Sequence, residues 1–573
     1  MDNHIIPQHS NIFIDGLTFF SDFDSGNLNR ASKVGQNQYE LCVAADAADK
    51  GFNNYRVWFH FGIKGLRKGN FFKLTIMNLS NFRLMAAPSY RPVWRSIPSQ
   101  PEWQRIPTDS SFEASIPSCF KLSWVFEMNY MDNDLYFAFA PPYPYCEVAK
   151  SINSFQDICP IDSIFYREII TRSIDGRDVE LITISNRENF TTEREDRLYP
   201  AFLTQEARCY KPAKPVIFIS ARVHPGETPG SFMLDGFLKA LLAQDRRGYV
   251  LRKLFVFKII PILNPDGVYR GHFRVDQNGN NLNRYYINPT QNEHPTIFAA
   301  KTYAEYLNSI STVAFYLDFH AHVSRRGCFL FGNYLEIEQQ VENELFAKLM
   351  ELNSPFFDFS ECDFSEKSMT AKDPKDQHSK EGCGRVALHK STGIIRCYTV
   401  EGPYHVARPL HTITPLINIK VGRRHPELPI IIMNQAILVY NRFLFDDLGS
   451  AIAASILDTS GLNPLSRVPS TEYKCIETLK EFISSRINLQ RKRHNLVTRS
   501  SSKTEMEKVN KSNPKQILPK VANKVARKLP IISPILSERV ATSFSLQKSN
   551  QKLATLPPRR QTTTLLKYHK AQS

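Results

Sequence analysis

Residues 215–220, Pro-Val-Ile-Phe-Ile-Ser, form a short apolar run, and within seven residues of its end come His224 and Glu227. A helical pattern follows at once. Thr228 can cap a helix and Pro229 suits its first turn, where a missing N–H costs nothing. Leu234, Phe237, Leu238, Leu241 and Leu242 then share one face of a 3.6-residue period. Residues 254–263, 313–319 and 393–400 repeat the strand-length apolar run. Strand, helix, strand in this order predicts an α/β domain with a parallel or mixed sheet. Sheets of this kind bind ligands outside the carboxyl ends of their strands, which is where His224 and Glu227 fall.

Ahead of this pattern, residues 55–61, 71–77, 122–126 and 135–140 alternate and are rich in aromatics, separated by turn residues at the spacing of a small β-sandwich. The Pro-rich stretch 141–145 ends it. Residues 1–155 are therefore expected to form an all-β sandwich domain and 156–450 the α/β domain, whose last helix is expected at 430–445. Residues 451–490 are expected as a linker, with an amphipathic helix within 472–489. Residues 355–384, rich in Ser, Asp, Lys and Gly, read as a long surface loop.

The net charge of +16 over 573 residues looks like a nucleic-acid signal until it is located. Residues 486–573 hold 20 Lys/Arg against three acids, a net of +17, and the remainder balances at −1. The excess belongs to a tail, expected to be disordered from 491 onward because it has few large apolar groups. No 18-residue apolar run and no basic, apolar leader is present, so neither membrane span nor signal peptide is expected. Ten scattered cysteines without CxxC pairs fit a reduced, cytosolic setting.

A catalytic zinc takes three nitrogen or oxygen ligands and keeps one open position. His224 and Glu227 on one turn supply two, and a single HxxE arises easily by chance. The sequence 318–322, Asp-Phe-His-Ala-His, follows another strand run. There His320, nearest the strand, is the better third ligand, and His322 reads as a structural histidine. Arg270, Arg274, Asn281, Asn283 and Arg284 fall within 15 residues. An arginine fork matches a carboxylate bidentately, and an exopeptidase needs such a fork to hold a free α-carboxylate. Glu401, after the run 393–400, can be an ordinary strand-end carboxylate or a base. Nucleotide P-loop, dinucleotide, HExxH and GxSxG motifs are absent.

The stretches 221–229 (ARVHPGETP), 263–268 (LNPDGV), 281–284 (NLNR) and 318–322 (DFHAH) resemble the cytosolic carboxypeptidases, the tubulin-deglutamylating branch of the zinc carboxypeptidases. The resemblance is strong over about 160–450, and residues 58–62 (WFHFG) resemble the β-sandwich that precedes catalysis in that family. It implies one Zn2+ per chain on His224, Glu227 and His320, with Glu401 as general base. It further implies Arg274 as oxyanion stabiliser and Asn283 with Arg284 on the terminal carboxylate. Arg385, sixteen residues before Glu401, is the candidate partner for an acidic side chain. Thr399-Val400-Glu401 stands where Thr-Leu-Glu is usual, and Gly402-Pro403-Tyr404 is less typical. The implied activity is removal of glutamate from acidic protein tails, tubulin or microtubules being the partner. No membrane and no nucleic acid is expected as partner, and the implied location is cytoplasmic, at the cytoskeleton or cilium. The basic tail fits polyanion binding, solubilisation or nuclear import through residues 491–493. A carboxypeptidase for other C-termini and a non-catalytic microtubule-binding protein are the rival readings.

Overall fold

The structure is a computed structural model. It describes residues 11–48, 55–87, 90–116, 119–131, 133–199, 207–323, 325, 327–373, 377–404, 406–407, 410–415, 438–439 and 442–492. The expected disordered tail lies outside the described residues.

Aromatic alternation builds the N-terminal part. A six-stranded sheet runs in the order Ile12–Ile14, Leu17–Phe20, His60–Lys64, Asp134–Ala138, Val93–Ile97 and Gln100–Arg105. A five-stranded sheet runs Leu28–Gly35, Gln38–Val43, Phe71–Leu79, Cys119–Glu127 and Ser110–Ile116. Phe59, Phe61, Trp124, Phe126 and Phe137 are buried in the shared core, where Phe126 meets Phe137 edge to face at 5.1 Å. Of the run expected at 55–61, only His60 and Phe61 are strand; Val57, Trp58 and Phe59 are buried without joining the ladder.

The second part is a seven-stranded mixed sheet in the order Ser163–Arg172, Asp178–Asn186, Val256–Ile260, Val216–Ala221, Val313–His322, Cys397–Pro403 and Phe329–Phe331. The four inner strands from Val256 to Pro403 are mutually parallel. Alternation along one central strand divides the core. Ile217, Ile219 and Ala221 join the helices Thr228–Leu242 and Arg442–Thr459 on one face. Val216 and Phe218 join Pro295–Ile310 and Gly384–Thr392 on the other.

The last helix of this domain runs over Arg442–Thr459 rather than 430–445. Within the expected span Leu438–Val439 is a strand, and the rest up to 441 lies outside the described residues. The register is set by a close crossing with Thr228–Leu242: a Cβ on Gly449 would meet the Phe237 amide nitrogen at 2.2 Å. Residues 476–492 are helical, with Leu479, Ile483 and Ile487 buried against Leu345 and Leu349, as their spacing predicts. Residues 355–384 are more than a surface loop. They contain the helix Glu366–Thr370, bury Phe356, Phe357 and Phe359, and bridge to Cys328 and Phe331. All ten cysteines are free thiols. Among the described residues no helix is long and apolar enough to cross a membrane.

Candidate active site

The parallel strands deliver the chemistry at their carboxyl ends. His224 and Glu227 lie on the turn after Val216–Ala221, and His320 is near the end of Val313–His322. Glu401 on Cys397–Pro403 is the direct register neighbour of His320, so both side chains leave the sheet on one face. Arg274, Asn283 and Arg284 follow the strand Val256–Ile260 through the short helix Pro265–Tyr269, which Asn264 caps by accepting from the Gly267 amide.

The turn carrying His224 and Glu227 is tightly held. Arg222 adopts a positive φ of 57°, and its buried guanidinium donates to the carbonyls of Pro225 and Tyr143 and to Ser231 Oγ. Gly226 has no room for a side chain, since a Cβ would meet the Phe273 ring at 2.5 Å. Thr228 is the first residue of the following helix and Glu227 occupies the cap position without capping it. The reason is local: Glu227 Oε2 accepts instead from the Ala321 amide and faces His320 Nδ1, each at 2.9 Å.

Ligand atoms of His224, Glu227 and His320 lie within 4.8 Å of one another, all three residues buried. His224 Nε2 lies 3.0 Å from Asn281 Oδ1, which only accepts, so Nε2 donates. That leaves Nδ1 with its lone pair 2.9 Å from Glu227 Oε1, buried and without a hydrogen-bond partner. His320 Nε2 lies 2.8 Å from Asp318 Oδ2, and Asp318 in turn accepts from Ser220 Oγ. Both rings are thus oriented through one nitrogen by an oxygen acceptor, presenting Nδ1 toward Glu227. Histidine ligands of metals are held in this way. The three groups are also strongly coupled electrostatically. Burial disfavours charge on His320, but Asp318 and Glu227 outweigh it and hold its pKa well above normal. Burial also opposes the charge on Glu227, yet His224 and His320 draw its pKa well below the usual range. Burial and Arg274 lower His224 to about 4, against the pull of Glu227. Two neutral-capable nitrogens and a carboxylate around one point suit Zn2+.

Half-buried Glu401 stands next to this set. Burial raises its pKa to about 7, Glu227 and Asp318 adding to the rise while His320 and Arg274 oppose it. A carboxyl tuned toward neutrality is suited to proton transfer. His322 faces the Gly327 carbonyl through Nε2 and accepts from the Arg325 amide at Nδ1, the structural arrangement expected of it.

The arginine side is built on loops. Asp373 Oδ2 accepts from Arg284 Nη2 at 2.7 Å and from Arg274 Nη2 at 3.3 Å. Asn283 turns its Oδ1 to the Gly384 amide, at 3.1 Å, and its Nδ2 toward His320 Nε2, at 3.4 Å. The backbone amides of Phe273, Arg274 and Val275 all donate to Asp46, a buried carboxylate from the N-terminal sandwich. Tyr404 donates to the Gly226 carbonyl and Arg105 of the sandwich donates to the Tyr404 carbonyl. Arg385 is buried, its guanidinium donating to the carbonyls of Gly332 and Ser368 and to Asn333 Oδ1. Its Nε has no partner, and among the described residues no carboxylate pairs with it.

The structure therefore gathers His224, Glu227, His320 and Glu401 in one place and gives Arg274 and Arg284 a common partner, with Asn283 beside His320. Arg385 stands at the start of Gly384–Thr392, near enough to Glu401 to feel its charge. Sequence reading gives no role to five contributors, of which it singles out only Asn281, as part of the polar cluster 270–284. Asp318 was legible in principle, since it lies two residues before His320 on one strand face. Ser220 carries no local signal, and Asp46 and Asp373 reach the site from distant segments.

A family model described as zinc carboxypeptidase matches residues 160–313, and one described as the cytosolic carboxypeptidase N-terminal domain matches residues 19–139. Cytosolic carboxypeptidase-like protein 5 of Danio rerio is 33% identical over 82% of this chain and 68% of its own length. The Homo sapiens protein of that name is 33% identical over 83% and 67%. Cytosolic carboxypeptidase 6 of Mus musculus is 32% identical over 68% and 67%. The chain thus spans about two thirds of the length of these relatives. Among solved structures, a metallo-carboxypeptidase from Burkholderia cenocepacia superposes with a TM-score of 0.57 at 20% identity, covering 78% of this chain and 99% of its own. One from Pseudomonas aeruginosa superposes with a TM-score of 0.54 at 16% identity, covering 77% and 98%; both share the fold.

Proposed function

Because the chain belongs to the zinc carboxypeptidases, in their cytosolic carboxypeptidase branch, we propose that it removes glutamate from the acidic tails of proteins, polyglutamylated tubulin first among them. The observation that carries the glutamate preference is Arg385. A buried guanidinium held only by neutral acceptors is costly, and an anion is the missing complement. A glutamate side chain supplies one.

In this reading His224, Glu227 and His320 would hold the zinc, with Asn281 and Asp318 fixing the two rings. Zinc bound there supplies a Lewis acid and an activated water at neutral pH. Glu401 takes the proton of the attacking water and passes it to the leaving amine. Arg274 donates to the oxyanion of the tetrahedral intermediate, and Arg284 with Asn283 holds the substrate's free α-carboxylate. A branch glutamate also carries such a carboxylate, so the same clamp serves an isopeptide bond.

The relatives' shared name supports a cytoplasmic location. The 20 Lys/Arg of residues 486–573 offer charge complementarity to glutamylated tails. Deleting 493–573 is then expected to weaken microtubule co-sedimentation at low salt and not at high salt. The decisive experiment is mass spectrometry of polyglutamylated tubulin incubated with zinc-loaded protein and with its Glu401→Gln variant. Stepwise glutamate loss with the unaltered protein alone is expected. No loss with a zinc-loaded protein overturns the tubulin reading, and release of neutral C-terminal residues at equal rates removes the glutamate preference.

A further inference from the structure

In the substrate-free protein a carboxylate already occupies the arginine clamp. Asp373 Oδ2 binds Arg284 at 2.7 Å and Arg274 at 3.3 Å with its side chain 13% exposed. The described residues on either side hold it in place: the Asp373 amide donates to the His378 carbonyl, the Gln377 amide to the Asp373 carbonyl, and Lys372 bridges Ser379. The segment bearing that residue is seated on the site. Tyr286 donates from its amide to the Gly382 carbonyl, and the Ser368 carbonyl accepts from Arg385. Asp373 therefore stands on two of the groups that the proposed function gives to the substrate.

We propose that Asp373 is an internal stand-in for the substrate's terminal carboxylate, competing with it for the arginines and displaced on binding. The inference rests on the carboxypeptidase reading of Arg274 and Arg284. Its physical basis is charge exchange. Two guanidiniums sharing one small region repel unless an anion lies between them, and Asp373 supplies that anion while fixing both forks. An incoming α-carboxylate takes its place on Arg284 and restores an anion between the two guanidiniums, leaving Arg274 free to turn to the oxyanion. An amidated or otherwise blocked C-terminus brings no anion for the arginines, so it draws nothing from the clamp whether Asp373 is present or not. Holding the protein in a closed form lowers the apparent affinity by the fraction of molecules that are open.

The test uses the zinc-loaded full chain carrying Glu401→Gln, so that binding is read without turnover. A fluorescent peptide ending in a free glutamate and the same peptide with an amidated end are titrated by anisotropy. With the clamp open in about one molecule in ten, adding Asp373→Asn is expected to tighten the free-acid peptide about tenfold and to leave the amidated peptide unchanged. If affinity for the free acid is unchanged or falls, Asp373 is a bystander or a brace for the arginines and the proposal fails. Asp373→Ser gives the same comparison should the asparagine variant not fold. A second readout does not depend on substrate identity. Phenylglyoxal labelling of Arg274 and Arg284, followed by mass spectrometry, should accelerate in the Asp373 variants, and equal rates overturn the proposal. Faster labelling and tighter free-acid binding, together with no glutamate release by the unaltered protein, uphold the clamp and defeat the glutamate reading. Glutamate release with no tightening does the reverse.

Discussion

The candidate site has two halves built on different principles. The metal-and-base half, His224, Glu227, His320 and Glu401, stands at the ends of parallel strands whose interiors are fully buried. The arginine half, Arg274, Arg284 and their partner Asp373, stands on loops, held by carboxylates that arrive from elsewhere in the chain. The first half inherits its geometry from the sheet: pairing register alone puts His320 beside Glu401. The second half must be assembled, and Asp46 of the N-terminal sandwich fixes the Arg274 backbone through three amides. The lesson concerns the sandwich itself. It is part of the active-site scaffold, since Asp46 and Arg105 reach the backbone on which Arg274 and Tyr404 are carried.

The largest effect should come from the strand-end half. Glu401→Gln is expected to retain zinc and fold but to lose turnover by about 10³-fold, the upper range of a general base's contribution. Retained zinc with near-normal turnover would remove Glu401 from the mechanism. The unaltered enzyme should show the matching pH dependence. A carboxyl raised by burial to about 7 is protonated below that value, so kcat/KM should fall as pH drops through an acid limb. The dication of the metal lowers that limb below 7 without changing its sign. A rate that stays flat from pH 8 to pH 5 contradicts a buried carboxylate base.

The sharpest contrast between the halves is Asp46→Asn against Asp318→Asn. Asp46 lies in another domain, yet its loss should cost about 10²-fold in kcat, comparable to removing one oxyanion donor, with zinc content unchanged. Loss of zinc instead would mean that Asp46 braces the whole carboxyl edge and not the Arg274 loop. Asp318→Asn should do the opposite, lowering zinc affinity by about 10- to 100-fold through the misoriented His320 ring. Competition with a chromophoric chelator measures both. If the two variants give the same pattern, the site does not divide into these halves.

The same division explains what could be read in the sequence. Strand-length runs and helical spacing gave the α/β domain and its ligand edge, because buried strands announce themselves by unbroken apolar residues such as Ile217, Phe218 and Ile219. The residues just past those runs were legible for that reason. The segment 355–384 was not. Its Ser, Asp and Lys content reads as solvent-facing, while its seating depends on Phe356, Phe357 and Phe359 and on bridges to distant strands. Asp373 and Asp46 have no periodicity or spacing that ties them to Arg274, since tertiary contact alone makes the link. The helix expected at 430–445 failed for a related reason. Its described part packs through the Gly449 crossing with Thr228–Leu242, a tertiary contact that composition does not encode.

Arg385 tests whether the divided site has a third element, one that chooses the residue to be removed. Its guanidinium is buried, its Nε lacks a partner and its acceptors are all neutral. Burial lowers its pKa, with Cys383, Asp363 and Glu401 pulling the other way, so the group is a cation awaiting a closer anion. Arg385→Ala should therefore reduce the preference for a terminal glutamate over glutamine by about tenfold in kcat/KM, as loss of one charge-assisted hydrogen bond does. Activity on the glutamine-ended peptide should be little changed, because Glu401, Arg274 and Arg284 are untouched. Arg385→Lys distinguishes charge from packing: a lysine that restores the preference makes charge the selector, and one that does not makes the planar fork essential. If alanine leaves the glutamate preference intact while lowering both activities together, Arg385 is a brace for Gly332, Asn333 and Ser368, and the acidic side chain is selected by another group.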